Sequence, residues 1–373
     1  MSLDERFLRP WRLPANRVRR FYRGGQQIDE FRGRAGAADT DEPEDWVGSA
    51  TRAWTPPGEP LTDAGVGDAE IDGARFRVAD ILATDPAAVV GQELVAAAGA
   101  SPGMLVKLLD AAERLPIHCH PDRSFARRHL GSFFGKAEAW VVVGTREITD
   151  APPPGIWIGS ARDIGRNDLV RAIETEASDA LLQSMLWRPT TAGDVWFIPP
   201  GTPHAIGAGV FIVEIQEPTD FSIVAESAGG RVDPVDAHLH LGWDVAIDAF
   251  DRSGHDDAWL DSLRGTSTIV GQGDGWSRRS LLGEAARPYF RAERVEIHGT
   301  ADGLWDENAW LVGVVLSGDA TLAGGTGDLR VSRGATFAVP AAILPHLRIA
   351  AERGLEFLAC RPPDPSVLTT DAP

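Results

Sequence analysis

Cysteine is scarce in this sequence: 373 residues contain two, Cys119 and Cys360. No disulfide framework is needed, and a reducing cytoplasm is the compartment this composition suits. Long apolar runs are missing too. No stretch of 18 apolar residues occurs, so nothing reads as a membrane span. The N-terminal stretch MSLDERFLRPWRLPANRVRRFYRGG is basic but lacks the apolar centre of a secretory signal. Positive charge is in short supply, with 36 Lys and Arg against 54 Asp and Glu, a net −18. That excess of acid opposes a phosphate backbone and excludes nucleic acid as a partner.

Glycine (40) and proline (26) are abundant, without the triplet period of collagen. Interleaved with short apolar runs, they predict many strands and tight turns in a predominantly all-β chain long enough for two domains. Strands are expected at 104–110 (MLVKLLD), 115–121 (LPIHCHP), 137–145, 194–201 and 209–216. A helical stretch is expected near 86–98, and two short helices within 161–186, where apolar positions recur at helical spacing. Residues 35–103 otherwise read as acidic, Gly/Pro-rich loops such as DTDEPEDW. From about 251 a second run of short strands begins, suggesting one sandwich or jelly-roll architecture used twice. The expected domains are 1–250, carrying the helical insert, and 251–373.

Nine arginines crowd residues 1–34 (6, 9, 12, 17, 19, 20, 23, 32 and 34) against four acids. They either pair with the acidic body or turn one or two guanidinium groups toward an anionic ligand.

The chemistry gathers around His118-Cys119-His120. Residues two apart on a strand share a face, so both imidazoles project together while Cys119 points away into core. Such a pair either holds a metal or is satisfied by hydrogen bonds. Glu138 opens an apolar strand and needs a partner if buried. Further on, Gly193 to His204 reads as strand, Pro-Gly turn and histidine. Three histidines and one carboxylate suit a divalent transition metal such as Zn, Mn or Fe.

The run from Gly193 to His204 matches the second cupin motif, G(X)5PXG(X)2H, and His118-X-His120 with a later Glu resembles the first, its Glu displaced by an insertion. Together KLLDAAERLPIHCHPD, GKAEAW, GDVWFIPPGTPHAIG and VEIQEPTDF resemble the type I phosphomannose isomerases, most clearly over residues 104–220. The resemblance implies two cupin barrels and one divalent metal, zinc before manganese or iron, on His118, His120, Glu138 and His204. It makes Lys136 and Glu214 the acid/base candidates and associates Lys107 with the substrate's anionic end. For each a bland alternative stands: a solvated turn lysine, a structural carboxylate, an ion-paired lysine. The implied reaction is aldose–ketose isomerisation of a sugar or sugar phosphate through a cis-enediol.

Three departures bear on that expectation. His118 stands where the family has Gln, which also suits an Fe- or Mn-dependent cupin oxygenase. Val224 replaces an Arg and Pro116 a Ser, which weakens a phosphate subsite and leaves a catalytically silent sugar-binding cupin as a rival. Arg127 and Arg128, or Arg19, Arg20 and Arg23, are the candidates to compensate. The remaining readings are structural. His129, His238, His240 and His255 are expected at the surface, and Trp140, Trp187 and Trp196 in the core. The C-terminal GATFAVP segment imitates the second motif but sets His346 one residue too far from its Pro, so that barrel is expected to hold no metal.

Overall fold

The computed structural model describes residues 4–226 and 229–368. The outermost residues of the two expected domains, 1–3 and 369–373, lie outside the described residues. With 34% strand and 20% helix, the chain is predominantly β.

Two sheets enclose the first barrel. A six-stranded sheet runs Val195–Ile198, Glu138–Thr145, Val210–Gln216, Leu105–Asp110, Glu44–Val47, Arg17–Val18. Facing it, a five-stranded sheet runs Met185–Pro189, Gly155–Ser160, His204–Ile206, His118–Cys119, Ile223–Val224. Trp140, Val142 and Ile212 of the first meet Ile156, Ile158 and Ile206 of the second in one apolar cluster.

The third sheet has ten strands and wraps a separate core that includes Val295, Leu322, Phe337 and Phe357. It is built from the long strands Arg291–Ala301, Leu311–Gly324 and Arg348–Arg361 with their neighbours, and it also takes in Trp11–Arg12, Asp68–Ile71 and Ala74–Arg77. The N-terminal segment therefore contributes strands to both halves. Between the barrels, Val106, Leu108, Ala139 and Val213 pack with Trp11, Trp310, Val312 and Leu358.

The six-stranded sheet is thus buried on both faces, which explains its nearly continuous apolar strands. Within Leu105–Asp110, Val106 and Leu108 fill the seam between barrels, so the alternate Lys107 belongs to the opposite, inward face. The same alternation in Val210–Gln216 separates Val213 and Ile215 in the seam from Glu214 and Gln216.

The expected helices form at Arg166–Glu174 and Ser178–Ser184, and at Pro86–Val90 and Gln92–Ala98 after an additional Val78–Thr84. The insertion that displaces Glu138 is the helix Arg123–Leu130, capped by Asp122 Oδ1 accepting from Phe125 N at 2.6 Å and ended by left-handed Gly131. The loops expected over residues 35–103 are corrected twice, first by the antiparallel strand pair Asp68–Ile71 and Ala74–Arg77. Second, residues 44–47 are a buried strand instead of acidic loop, because Glu44 and Asp45 are neutralised there by arginine and lysine partners.

Trp11 is fully buried against Trp310 at 6.0 Å, with Nε1 donating to Phe7 O at 2.8 Å. Trp11→Ala is expected to cost about 3–5 kcal/mol in denaturant unfolding.

Candidate metal centre and active cleft

His118 and His204 sit directly opposite each other on paired strands, and Val224 opposes His118 on its other side. His120 follows two residues on, past the last paired position, and the three ring centroids lie 4.2–5.0 Å apart. Each Nδ1 meets a backbone carbonyl: Pro116 at 2.7 Å for His118, Phe221 at 2.8 Å for His120, Thr202 at 2.8 Å for His204. A carbonyl only accepts, so each Nδ1 carries the proton and each Nε2 keeps its lone pair for the interior.

Burial holds His118 well below the ordinary imidazole value, with His204 and His120 adding to the effect. Burial, then the Lys136 ammonium, pushes His120 down to about 3. Both rings are therefore neutral near pH 7, as ligation requires. His204 Nε2 is buried without a hydrogen-bond partner. The three histidines offer ligand atoms within 4.8 Å of one another, and they fit a divalent ion.

Glu138 reaches the same point from the facing sheet. Its Oε2 lies 3.1 Å from His120 Nε2 and its Oε1 3.2 Å from His204 Nε2. Trp140 Nε1 donates to Oε1 at 3.0 Å, and Lys136 Nζ to Oε2 at 3.0 Å. Burial pushes this carboxyl up, but Lys136, His120 and His204 outweigh it and hold it well below the usual range.

The turn that carries Lys136 is fixed by Glu217, which accepts from Ala137 N at 3.0 Å and from Arg123 Nε at 2.6 Å. Gly135 is required there, since a Cβ would stand 2.5 Å from Pro121 O. Gly201, at φ +83°, makes the left-handed turn that aims His204. Cys119 points into the core on the opposite side, its thiol pushed well up by burial.

Beside this centre runs a chain of alternating charge. Lys107 Nζ lies 3.2 Å from Glu214 Oε2 and 3.5 Å from Glu44 Oε2. Glu44 also accepts from Arg20 Nε at 2.9 Å, Tyr22 Oη at 2.5 Å and Trp46 Nε1 at 2.7 Å. Both terminal nitrogens of Arg20 then donate to Asp220, at 2.7 and 3.0 Å. Burial pushes Lys107 down, but Glu214 and Glu44 overcome it and keep the ammonium. Glu214 behaves oppositely: burial raises it, Lys107 offsets only part, and Glu138 adds to the rise. Lys107 and Lys136 are the only lysines of the chain, and both face this cleft.

Seven of the expected residues thus surround one cleft: His118, His120, Glu138, His204, Lys136, Lys107 and Glu214. Arg127 and Arg128 do not join it. They lie in the last turn of Arg123–Leu130, Arg127 stacked over Phe133 at 4.8 Å and Arg128 donating to Ser124 Oγ at 2.9 Å. A helix C-terminus favours cations there without any ligand. Of the N-terminal arginines only Arg20 lines the cleft; Arg19 pairs with Asp41 at 3.0 Å, and Arg23 donates to Asp39 O. Trp140 and Trp196 are core, but Trp187 is 37% exposed.

Glu44, Tyr22 and Asp220 went unassigned in the sequence. The signal for them was the pairing of the basic segment at 19–23 with carboxylates distant along the chain, which local pattern does not carry.

Two barrels, with one three-histidine centre among the described residues, define a bicupin with a candidate metal site in its cleft. No family model matches the chain. The mannose-6-phosphate isomerase of Streptococcus mutans is 26% identical over 239 residues, 64% of this chain and 68% of that protein. Mannose-6-phosphate isomerase ManA of Bacillus subtilis is 30% identical over 117 residues, 31% of this chain and 34% of that protein. Among solved structures, the Bacillus subtilis mannose 6-phosphate isomerase superposes with a TM-score of 0.69 at 21% identity, covering 94% of this chain and 99% of that one. A variant of phosphomannose isomerase from Salmonella typhimurium gives 0.65 at 14%, covering 94% and 98%. These superpositions establish the fold. In sequence the chain is similar to mannose-6-phosphate isomerases, and it shares their fold.

The neutral imidazoles make stability acid-sensitive. His120 is unprotonated in the folded state down to about pH 3, whereas an unfolded chain protonates it near the ordinary 6.5. Stability of the metal-free protein is therefore expected to fall progressively as pH drops from about 6.5 toward 3, as read by denaturant midpoints. At neutral pH, His204→Ala is expected to weaken divalent-ion binding more than about a hundredfold in equilibrium dialysis.

Proposed function

We propose that the chain is a metal-dependent aldose–ketose isomerase. The observation that carries this reading is the convergence of Lys136 and Glu214 on the histidine–Glu138 centre inside one cleft. A divalent ion, zinc before manganese or iron, would be held by His118, His120, His204 and Glu138, and would supply Lewis-acid polarisation of the substrate's neighbouring oxygens.

The protein's own groups do the rest. Isomerisation moves one proton from C2 to C1 and one from the C2 hydroxyl to the C1 carbonyl oxygen, through a cis-enediol. Glu214, raised by burial yet faced by Lys107, is the group to take the carbon-bound proton and return it to the adjacent carbon. Its Oε2 is buried beside the Lys107 ammonium at 3.2 Å without an aligned hydrogen bond, so it keeps lone-pair capacity for a proton. Lys136, tethered at 3.0 Å from Glu138, donates toward the substrate oxygens at the centre. The fully buried Trp140 fixes Glu138 through its indole N–H.

No described helix is long and apolar enough to cross a membrane. The two buried free thiols, Cys119 and Cys360, support a reducing, cytoplasmic setting.

Lys136→Met and Glu214→Gln are each expected to lower kcat about 100-fold or more while retaining one bound metal per chain. In the wild type, the acid limb of kcat/KM should lie above the usual carboxylate range and vanish in Glu214→Gln. Unchanged turnover in both variants would overturn the assignment, and tight sugar binding with no turnover in the wild type would favour a silent binding protein.

A further inference from the structure

Resting on the isomerase reading, the charges around the cleft point to the class of sugar it accepts. Three cations line it, Arg20, Lys107 and Lys136, and every one is already held by carboxylate. Each of the three side-chain nitrogens of Arg20 donates to Glu44 or Asp220. Lys107 is 2% exposed, between two carboxylates and over the Trp46 ring at 4.8 Å. Lys136 is bound to Glu138 in the metal centre itself. Set aside that centre, and Arg20 and Lys107 face three carboxylates: Glu44, Glu214 and Asp220.

A phosphate dianion needs uncommitted N–H donors, best a free guanidinium fork, and is repelled by surplus carboxylate. Among the described residues no further cation lines the cleft. The wall beside His118 is instead apolar, formed by Leu115, Pro116, Ile206 and Val224. Glu214 Oε2, beside Lys107 but without an aligned hydrogen bond, keeps lone-pair capacity that suits a hydroxyl donor.

We propose that the cleft selects an uncharged aldose or ketose and discriminates against its phosphate ester.

The test compares D-mannose and D-glucose with their 6-phosphates on the metal-loaded full chain. In parallel, calorimetry measures binding of a hexitol and of its 6-phosphate. The expected result is a kcat/KM ratio of at least about a hundredfold in favour of the neutral sugar, with KM insensitive to salt. The hexitol should also bind more tightly than its phosphate. Val224→Arg, which adds a cation opposite His118, should narrow both ratios at least about tenfold; if that variant does not fold, the wild-type ratios decide. Preference for the phosphate in turnover or binding overturns the inference but leaves the isomerase reading standing. Hexitol binding without turnover of either sugar supports the charge selection while sinking the isomerase reading. No turnover and no binding of any of them overturns both.

Discussion

Three hydrogen bonds, each from an imidazole Nδ1–H to a backbone carbonyl, are the constraint on which the cleft depends. They fix the tautomer of His118, His120 and His204 and turn three lone pairs toward one point. The carbonyls come from three separate places, before the His118–Cys119 strand, after the Pro-Gly turn, and in the segment leading to Ile223–Val224. The centre thus exists only when the five-stranded sheet and its loops are assembled. Glu138 then arrives from the opposite sheet, and its burial is tolerable because Lys136 and Trp140 satisfy it.

The other half of the design is a double-sided sheet. One face of the six-stranded sheet is greased into the seam between barrels, and the other carries Lys107, Glu138 and Glu214 among apolar neighbours. Cross-strand register sets the polar partners: Glu214 lies opposite Lys107, and Gln216 opposite Glu138. The second barrel and Trp11 stiffen this sheet from behind, so the charged groups are held in a frame that strand-on-strand packing makes hard to deform.

Much of this was legible in the sequence. His-X-His on one strand, the Gly193–His204 run and the carboxylate at Glu138 identify their own partners, because alternation and a Pro-Gly turn determine direction locally. The strand at Glu44–Val47 was not legible, since its two acids read as solvated loop until their cations, Arg20, Lys107 and Arg32, are known from the fold. Arg127 and Arg128 were misplaced for the complementary reason. Sequence proximity to His120 does not say which way a helix turns its last residues, and theirs turn away from the cleft. The N-terminal basic segment proved to be mostly a set of ion pairs with the body, with Arg20 alone reaching the cleft wall.

Neutral histidines, a matched carboxylate and a raised one are the groups proposed to move protons between adjacent carbons. That claim is tested most directly by incubating the metal-loaded protein with aldoses in deuterated water and following the C1 and C2 hydrogens by NMR. The account requires solvent deuterium to appear at C2 of the aldose and C1 of the ketose at the rate of conversion or faster. Absence of both exchange and conversion across neutral and phosphorylated aldoses, in protein shown to carry its metal, would contradict it.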